Sequence, residues 1–117
     1  MEIENGIFED GRIPALNELI LKPLPVKEAY KVAKLAKELR EKEEVYREAK
    51  TAIFRKYGKE KNGKIEIMKK NQEKALEEIN ELIAVKEEYS LKDKIKLPED
   101  IELSAQQIIL LEDLVEI

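Results

Sequence analysis

The side chains of this sequence that can do chemistry are lysines, carboxylates and four tyrosines; histidine and cysteine are both absent. Without histidine there is no imidazole to act as a general base near neutral pH or as the usual transition-metal ligand. Without cysteine there is no thiolate nucleophile, no thiolate metal site and no disulfide framework. Serine occurs only at Ser90 and Ser104, so a serine–histidine–aspartate triad cannot be assembled. Glu43-Glu44 and Glu77-Glu78 are adjacent pairs, which diverge around a helix at about 100° per residue. No Asp-x-Asp loop with a glycine hinge and a closing glutamate occurs, so there is no calcium loop. Gly58–Gly63 is not a phosphate loop either, because Lys64 is followed by Ile65 where Ser or Thr is required. The expectation is a protein that is not an enzyme, with no cofactor, no metal and no small-molecule substrate.

The lysines point elsewhere. Residues 26–61 carry twelve Lys/Arg against seven Asp/Glu, whereas residues 86–117 carry four against nine. Lys27, Lys31 and Lys34 recur at i, i+4, i+7 on one helix face, with Lys37 nearby, and could contact nucleic-acid phosphates. Arg55, Lys56, Lys59 and Lys61 form a second cluster. The plainer interpretation is a solvated face in which Lys34 pairs with Glu38 and Lys37 with Glu41. The acidic C-terminal third could mimic phosphate or dock a basic partner; its plainer role is solubility and pairing with the basic helix. Tyr30, Tyr46 and Tyr57 fall at core-like helix positions and Tyr89 alternates along a strand. Burial with the hydroxyl at the rim is expected of them rather than base stacking.

One element must position most of these groups. Residues 26–57 contain no Gly or Pro, with Pro25 before them and Gly58 after. That is the asymmetry of a helix start and stop, and at 1.5 Å per residue the helix would be about 48 Å long. Its apolar stripe runs Val32, Leu35, Leu39, Tyr46, Ala49, Ile53 and Tyr57, with Lys42 at the skipped position. Such a stripe is close to a heptad seam and calls for a long partner helix. Val26, Ala29, Tyr30 and Ala33 are expected to widen it at the N-terminal end. A short helix with Pro14 in its first turn should face Leu16, Leu19 and Ile20 inward. A second helix over residues 71–85 should present Leu76, Ile79, Leu82 and Ile83 and pack antiparallel on the first. It is too short to cover the whole stripe.

The remaining segments are shorter. Asn5-Gly6 and Asp10-Gly11 are hairpin-turn dipeptides among Ile3, Ile7 and Ile13. Residues 58–64 read as a loop containing Asn62-Gly63, before a very short strand at Ile65–Ile67. The alternation around Tyr89 and Leu91 suggests a strand that pairs with the N-terminal residues. Ser104–Gln107 has the S-x-x-Q form of a capping box, opening a final helix that docks on the core. The fold class expected is mainly α with a small β element: a long antiparallel helical hairpin, a C-terminal helix and one short two- or three-stranded sheet. All 117 residues should form one domain. There is no apolar run of membrane-spanning length, and the acidic start MEIENGIFEDGR is unlike a signal peptide, so a cytoplasmic location is expected.

Leu24-Pro25-Val26-Lys27 leads into Tyr30, Ala33 and Lys34, and Tyr57-Gly58 closes the long helix. The acidic second helix, Tyr89-Ser90-Leu91 and Ile101-Glu102-Leu103-Ser104-Ala105 with its acidic-leucine tail follow. In this order and spacing the chain resembles a family, the DUF1617-like group of small phage and prophage proteins of unknown function. The resemblance implies a phage or prophage origin and a bacterial host cell, and allows association with virions; it supplies no catalytic residue or cofactor. The expected function is that of a non-enzymatic accessory protein acting through protein contacts, by self-association or by binding a host or virion component. Its candidate contact residues are Lys42, Tyr46, Ile53, Phe54 and Tyr57, on the half of the long helix that the second helix covers least. The alternatives are a nucleic-acid-associated factor using Lys27, Lys31, Lys34 and Lys37, or an inhibitor of a host enzyme. No membrane partner is expected.

Overall fold

A computed structural model describes residues 1–117. Four helices, α1 (Arg12–Ile20), α2 (Val26–Tyr57), α3 (Gln72–Ala84) and α4 (Ala105–Leu111), dominate the mainly α architecture. Six short strands accompany them: β1 (Glu2–Glu4), β2 (Gly58–Lys61), β3 (Lys64–Ile67), β4 (Lys86–Glu88), β5 (Ile95–Lys96) and β6 (Val115–Glu116). The molecule measures 53 × 26 × 22 Å. Its long dimension follows from α2, whose residues rise about 1.5 Å each.

Both ends of α2 fall where the punctuation predicts. The Ala29 N–H donates to the Pro25 carbonyl at 2.9 Å, so the helix starts immediately after the proline. Gly58 ends it, but not as a left-handed cap, since its φ of −124° and ψ of 177° are extended. Glycine is needed there for space: a Cβ would lie 2.6 Å from the Glu66 carbonyl oxygen and 2.8 Å from that of Phe54. The chain therefore turns straight into β2, where the sequence predicts a loop. β2 pairs antiparallel with β3 from Gly58↔Ile67 to Lys61↔Lys64. Asn62 and Gly63 make the turn with φ of 52° and 76°, the doubly positive pattern that suits Asn-Gly.

From this hairpin α3 runs back along α2, giving the predicted helical hairpin. Asn71 Nδ2 donates to the Tyr57 carbonyl (3.2 Å), Lys56 pairs with Glu78 (3.0 Å), and Asn5 Nδ2 donates to the Leu82 carbonyl (3.0 Å). Ala75, not Leu76, is the buried residue of α3, and Leu76 stays exposed. Adjacent residues lie about 100° apart around a helix, so the face that buries Ala75 leaves Leu76 outside it.

The N-terminal segment pairs as predicted with the strand before Tyr89: β1 and β4 are antiparallel, with Ile3 opposite Glu87. Asn5-Gly6 makes no hairpin. It begins a 3₁₀ turn over residues 5–8, and the Asn5 side chain is buried in its bond to Leu82. A third pair, β5 with β6, is parallel. Three two-stranded sheets thus stand where one was expected.

The core joins Ile3, Ile7, Phe8, Leu16, Leu19, Val32, Leu35, Leu39, Tyr46, Tyr89, Leu91, Ile95, Leu111 and Leu114 in one cluster. α4 opens with the predicted box, in which Gln107 N donates to Ser104 Oγ (3.1 Å) and Ser104 N to Gln107 Oε1 (2.9 Å). Leu111, Leu114 and Val115 dock as anticipated, whereas Ile108 and Ile109 remain exposed. Ile20, expected to face inward, is exposed as well, because the inward face is centred on Ala15, Leu16 and Leu19 and Ile20 falls about 100° around the helix from Leu19.

Candidate interaction surface

The phase of α2 decides which of its residues can meet a partner. Glu28, Val32, Leu35, Leu39 and Tyr46 are its buried positions and define the inward face. Tyr30 precedes Val32 by two residues, about 200° around a helix. The side chains of Val26, Ala29, Tyr30 and Ala33 therefore point away from the core, and all four are exposed, Val26 at 88 % and Tyr30 at 68 %. They do not widen the buried stripe. The inward position in this first turn belongs to Glu28, a carboxylate kept on the core side by its own bonds. Glu28 Oε2 accepts from the Lys96 N–H of β5 (2.9 Å) and from Lys31 (3.2 Å). Burial opposes its ionisation, but these two donors prevail and its pKa lies below the ordinary value.

The predicted contact residues are mostly used within the fold. Tyr46 is only 2 % exposed, with its ring 5.2 Å from that of Phe8 and beneath the Arg47 guanidinium at 5.4 Å. Burial removes it from the reach of an external partner. Lys42 is half-buried, pairs with Glu87 at 3.5 Å and lies 4.9 Å above the Tyr89 ring. Ile53, Phe54 and Tyr57 are half-buried where α2 meets α3 and the hairpin. What covers the distal half of α2 is therefore the 3₁₀ turn, α3 and β3 together. Glu9 locks the first of these in place, accepting from Arg47 Nη1 (2.8 Å) and from Lys50. The Lys50 bond is the chief reason the Glu9 pKa is lowered, against some burial.

Two tyrosines are masked by this packing. Burial, with Glu87 and Glu38 nearby, pushes Tyr89 up to about 12. Burial and the charge of Glu9 also raise Tyr46, whose hydroxyl is enclosed without a hydrogen-bond partner.

Of the nucleic-acid candidates, Lys31 is tied to Glu28, while Lys27, Lys34 and Lys37 are exposed and in no ion pair. The Lys34–Glu38 and Lys37–Glu41 pairs do not form. Glu38 instead accepts from Ser90 N (3.1 Å) and Ser90 Oγ (2.9 Å), which holds the chain after β4 against α2.

The outward face of α2 continues beyond Ala33 as Lys37, Arg40, Glu44, Arg47, Glu48 and Arg55. The largest concavity, about 900 Å³, lies along this part of the helix and is lined by α2 residues alone. A hollow bounded by one helix is an open flank and not a ligand pocket. No group of three or more carboxylates converges as metal ligands would, and no helix is long and apolar enough to cross a membrane. Among the outward residues the sequence could have revealed the apolar strip through its phase, because Val26 and Tyr30 fall opposite the Val32–Leu35–Leu39 seam. Comparisons with protein-family models, with curated proteins and with solved structures give no match to this chain.

Proposed function

We propose that the protein acts through protein contacts, without catalysis, and that the outward face of α2 is the contact, self-association being its first use. The observation that carries this is the exposed strip Val26, Ala29, Tyr30 and Ala33. Its spacing of i, i+3, i+4, i+7 is that of a seam made to meet another helix. Two alanines on the strip allow a close approach, and Tyr30 supplies a large amphipathic anchor of the kind that dominates interfaces. The rest of the face favours a second copy. Arg40, Glu44, Arg47 and Glu48 alternate in sign, and Arg40, Glu44 and Glu48 enter no ion pair within the chain. Such a pattern can complement itself across a two-fold axis. On the resemblance to phage and prophage proteins, the protein would be an accessory factor whose contacts serve a host or virion assembly.

Light scattering between about 1 and about 200 μM tests self-association, since mass action must raise the mean mass with concentration. The expected mass rises from 13.6 kDa towards twice that value, and Val26→Lys with Tyr30→Lys holds it at the single-chain value. Both positions are solvent-facing, so the double variant should keep its helix content. A chain that stays monomeric throughout, or a double variant that associates like the native chain, contradicts the proposal.

A further inference from the structure

The C-terminal end of α2 and the hairpin after it carry a concentration of basic charge of which the fold uses only Lys56, in its pair with Glu78. Between residues 55 and 74 there are eight Lys/Arg and three Asp/Glu. They surround the β2–β3 hairpin, which follows directly on the end of α2. Within the hairpin, side chains alternate between two faces, and residues paired across strands share a face. Ile65 and Ile67 are half-buried against the helices. The opposite face therefore carries Lys59, Lys61 and Lys64, with Glu66 opposite Lys59.

Lys61 lies directly across from Lys64 in the last pair before the Asn62-Gly63 turn. Like charges placed directly opposite one another destabilise a strand pair. Lys59, Lys61 and Lys64 enter none of the seven ion pairs of the structure, and neither do Lys69 and Lys70 just beyond β3. No ion pair offsets this repulsion inside the chain, in the hairpin that follows the end of α2. Residues 97–117, by contrast, carry six carboxylates and no basic residue. The excess of negative charge is held away from the tip, since β5 sits at Glu28 near the opposite end of α2.

We infer that the hairpin tip is a DNA-binding element that places Lys59, Lys61 and Lys64 against the phosphates of a double helix. The shape suits that partner. Strands in a pair lie about 4.8 Å apart, and the major groove of B-DNA, about 12 Å wide, admits a two-stranded β-ribbon. The A-form groove of duplex RNA is too deep and narrow for one. Phosphates would also offset the Lys61–Lys64 repulsion that the folded chain leaves standing. This element is independent of the α2 strip and uses none of Lys27, Lys31, Lys34 and Lys37.

Fluorescence anisotropy with a labelled DNA duplex of about 20 base pairs, titrated from about 50 to about 200 mM salt, tests the assignment. A chain of net charge −4 has little general affinity for DNA, so a signal reports a local site. Three phosphate contacts predict a slope of log K against log salt of about −2.7 or steeper. The variant Lys59→Gln/Lys61→Gln/Lys64→Gln should lose at least about tenfold in affinity, with a slope shallower by about 2.7. Its thermal midpoint should be unchanged or higher, because the repulsion is gone. The variant Lys27→Gln/Lys34→Gln/Lys37→Gln should bind as the native chain does. Absence of binding at the lowest salt overturns the assignment. So does binding that survives the hairpin variant, or that falls as far in the helix-face variant. If the hairpin variant instead lowers the solution mass while the native chain ignores DNA, the tip docks on the acidic end of another copy and the DNA assignment fails.

Discussion

At the residue scale, buried polar groups report how tightly the fold is committed. The Tyr46 hydroxyl has no partner, and an unsatisfied buried hydroxyl costs about 1–3 kcal/mol. Tyr46→Phe keeps the ring against Phe8 and should leave stability unchanged or raise it by up to about 1 kcal/mol in urea denaturation. A loss of that size would mean the hydroxyl is bonded. Glu28 behaves in the opposite way, because both its oxygens are used and its pKa is held below the ordinary 4.5. As pH falls, the unfolded chain takes up this proton first, so the carboxylate's contribution is full above 4.5 and is lost through the folded-state pKa below it. Glu28→Gln should therefore flatten the acid side of the stability profile measured between about pH 7 and about pH 3. At the alkaline side Tyr89, raised to about 12 from 10.0, stabilises the fold below 10, and that contribution is lost as pH rises towards 12. Tyr89→Phe should delete the last step of tyrosinate absorbance; an unchanged late step would contradict the burial that masks it.

At the scale of elements, punctuation was legible and face was not. Pro25 and Gly58 bound α2 correctly because backbone constraints act locally, and Ser104–Gln107 announced α4 for the same reason. β2 was invisible, since Gly58-Lys59-Glu60-Lys61 has no apolar alternation and becomes a strand only because β3 and the Asn62-Gly63 turn bring it into register. Tyr30 lies opposite the Val32–Leu35–Leu39 seam, and that phase is carried by the sequence of α2 itself. In α3 the apolar residues leave open whether Leu76 or its neighbour Ala75 meets the core, and only the folded structure, with Ala75 buried, settles it. The candidate site was less legible than the fold: Lys42 and Tyr46 mark a seam, but one that the chain closes on itself. The junction between α2 and β2 yields an element-scale prediction. A methyl group at residue 58 would press within 3 Å of the Glu66 and Phe54 backbone. Gly58→Ala should cost about 1–3 kcal/mol in urea denaturation, by forcing the hairpin from its seat. A neutral outcome would mean the hairpin is only loosely attached to α2.

At the scale of the whole molecule, one long helix separates three surfaces. Its inward face is consumed by the core, its outward N-terminal face is apolar and free, and its far end bears a basic hairpin. The acidic C-terminal third, expected to pair with the basic helix, makes one such pair, Lys42–Glu87, so the charge asymmetry of the sequence survives as an asymmetry of the molecule. Whether two copies meet at the free apolar face is directly testable, because the chain lacks cysteine. A single cysteine placed at Ala33, on the strip, can be joined by a short bis-maleimide only if two copies meet there. The same substitution at Ile109, exposed on α4, serves as the control. Self-association through the strip predicts that Ala33→Cys yields a covalent species of twice the 13.6 kDa chain mass and that Ile109→Cys does not. Cross-linking of Ala33→Cys no greater than that of Ile109→Cys would contradict it.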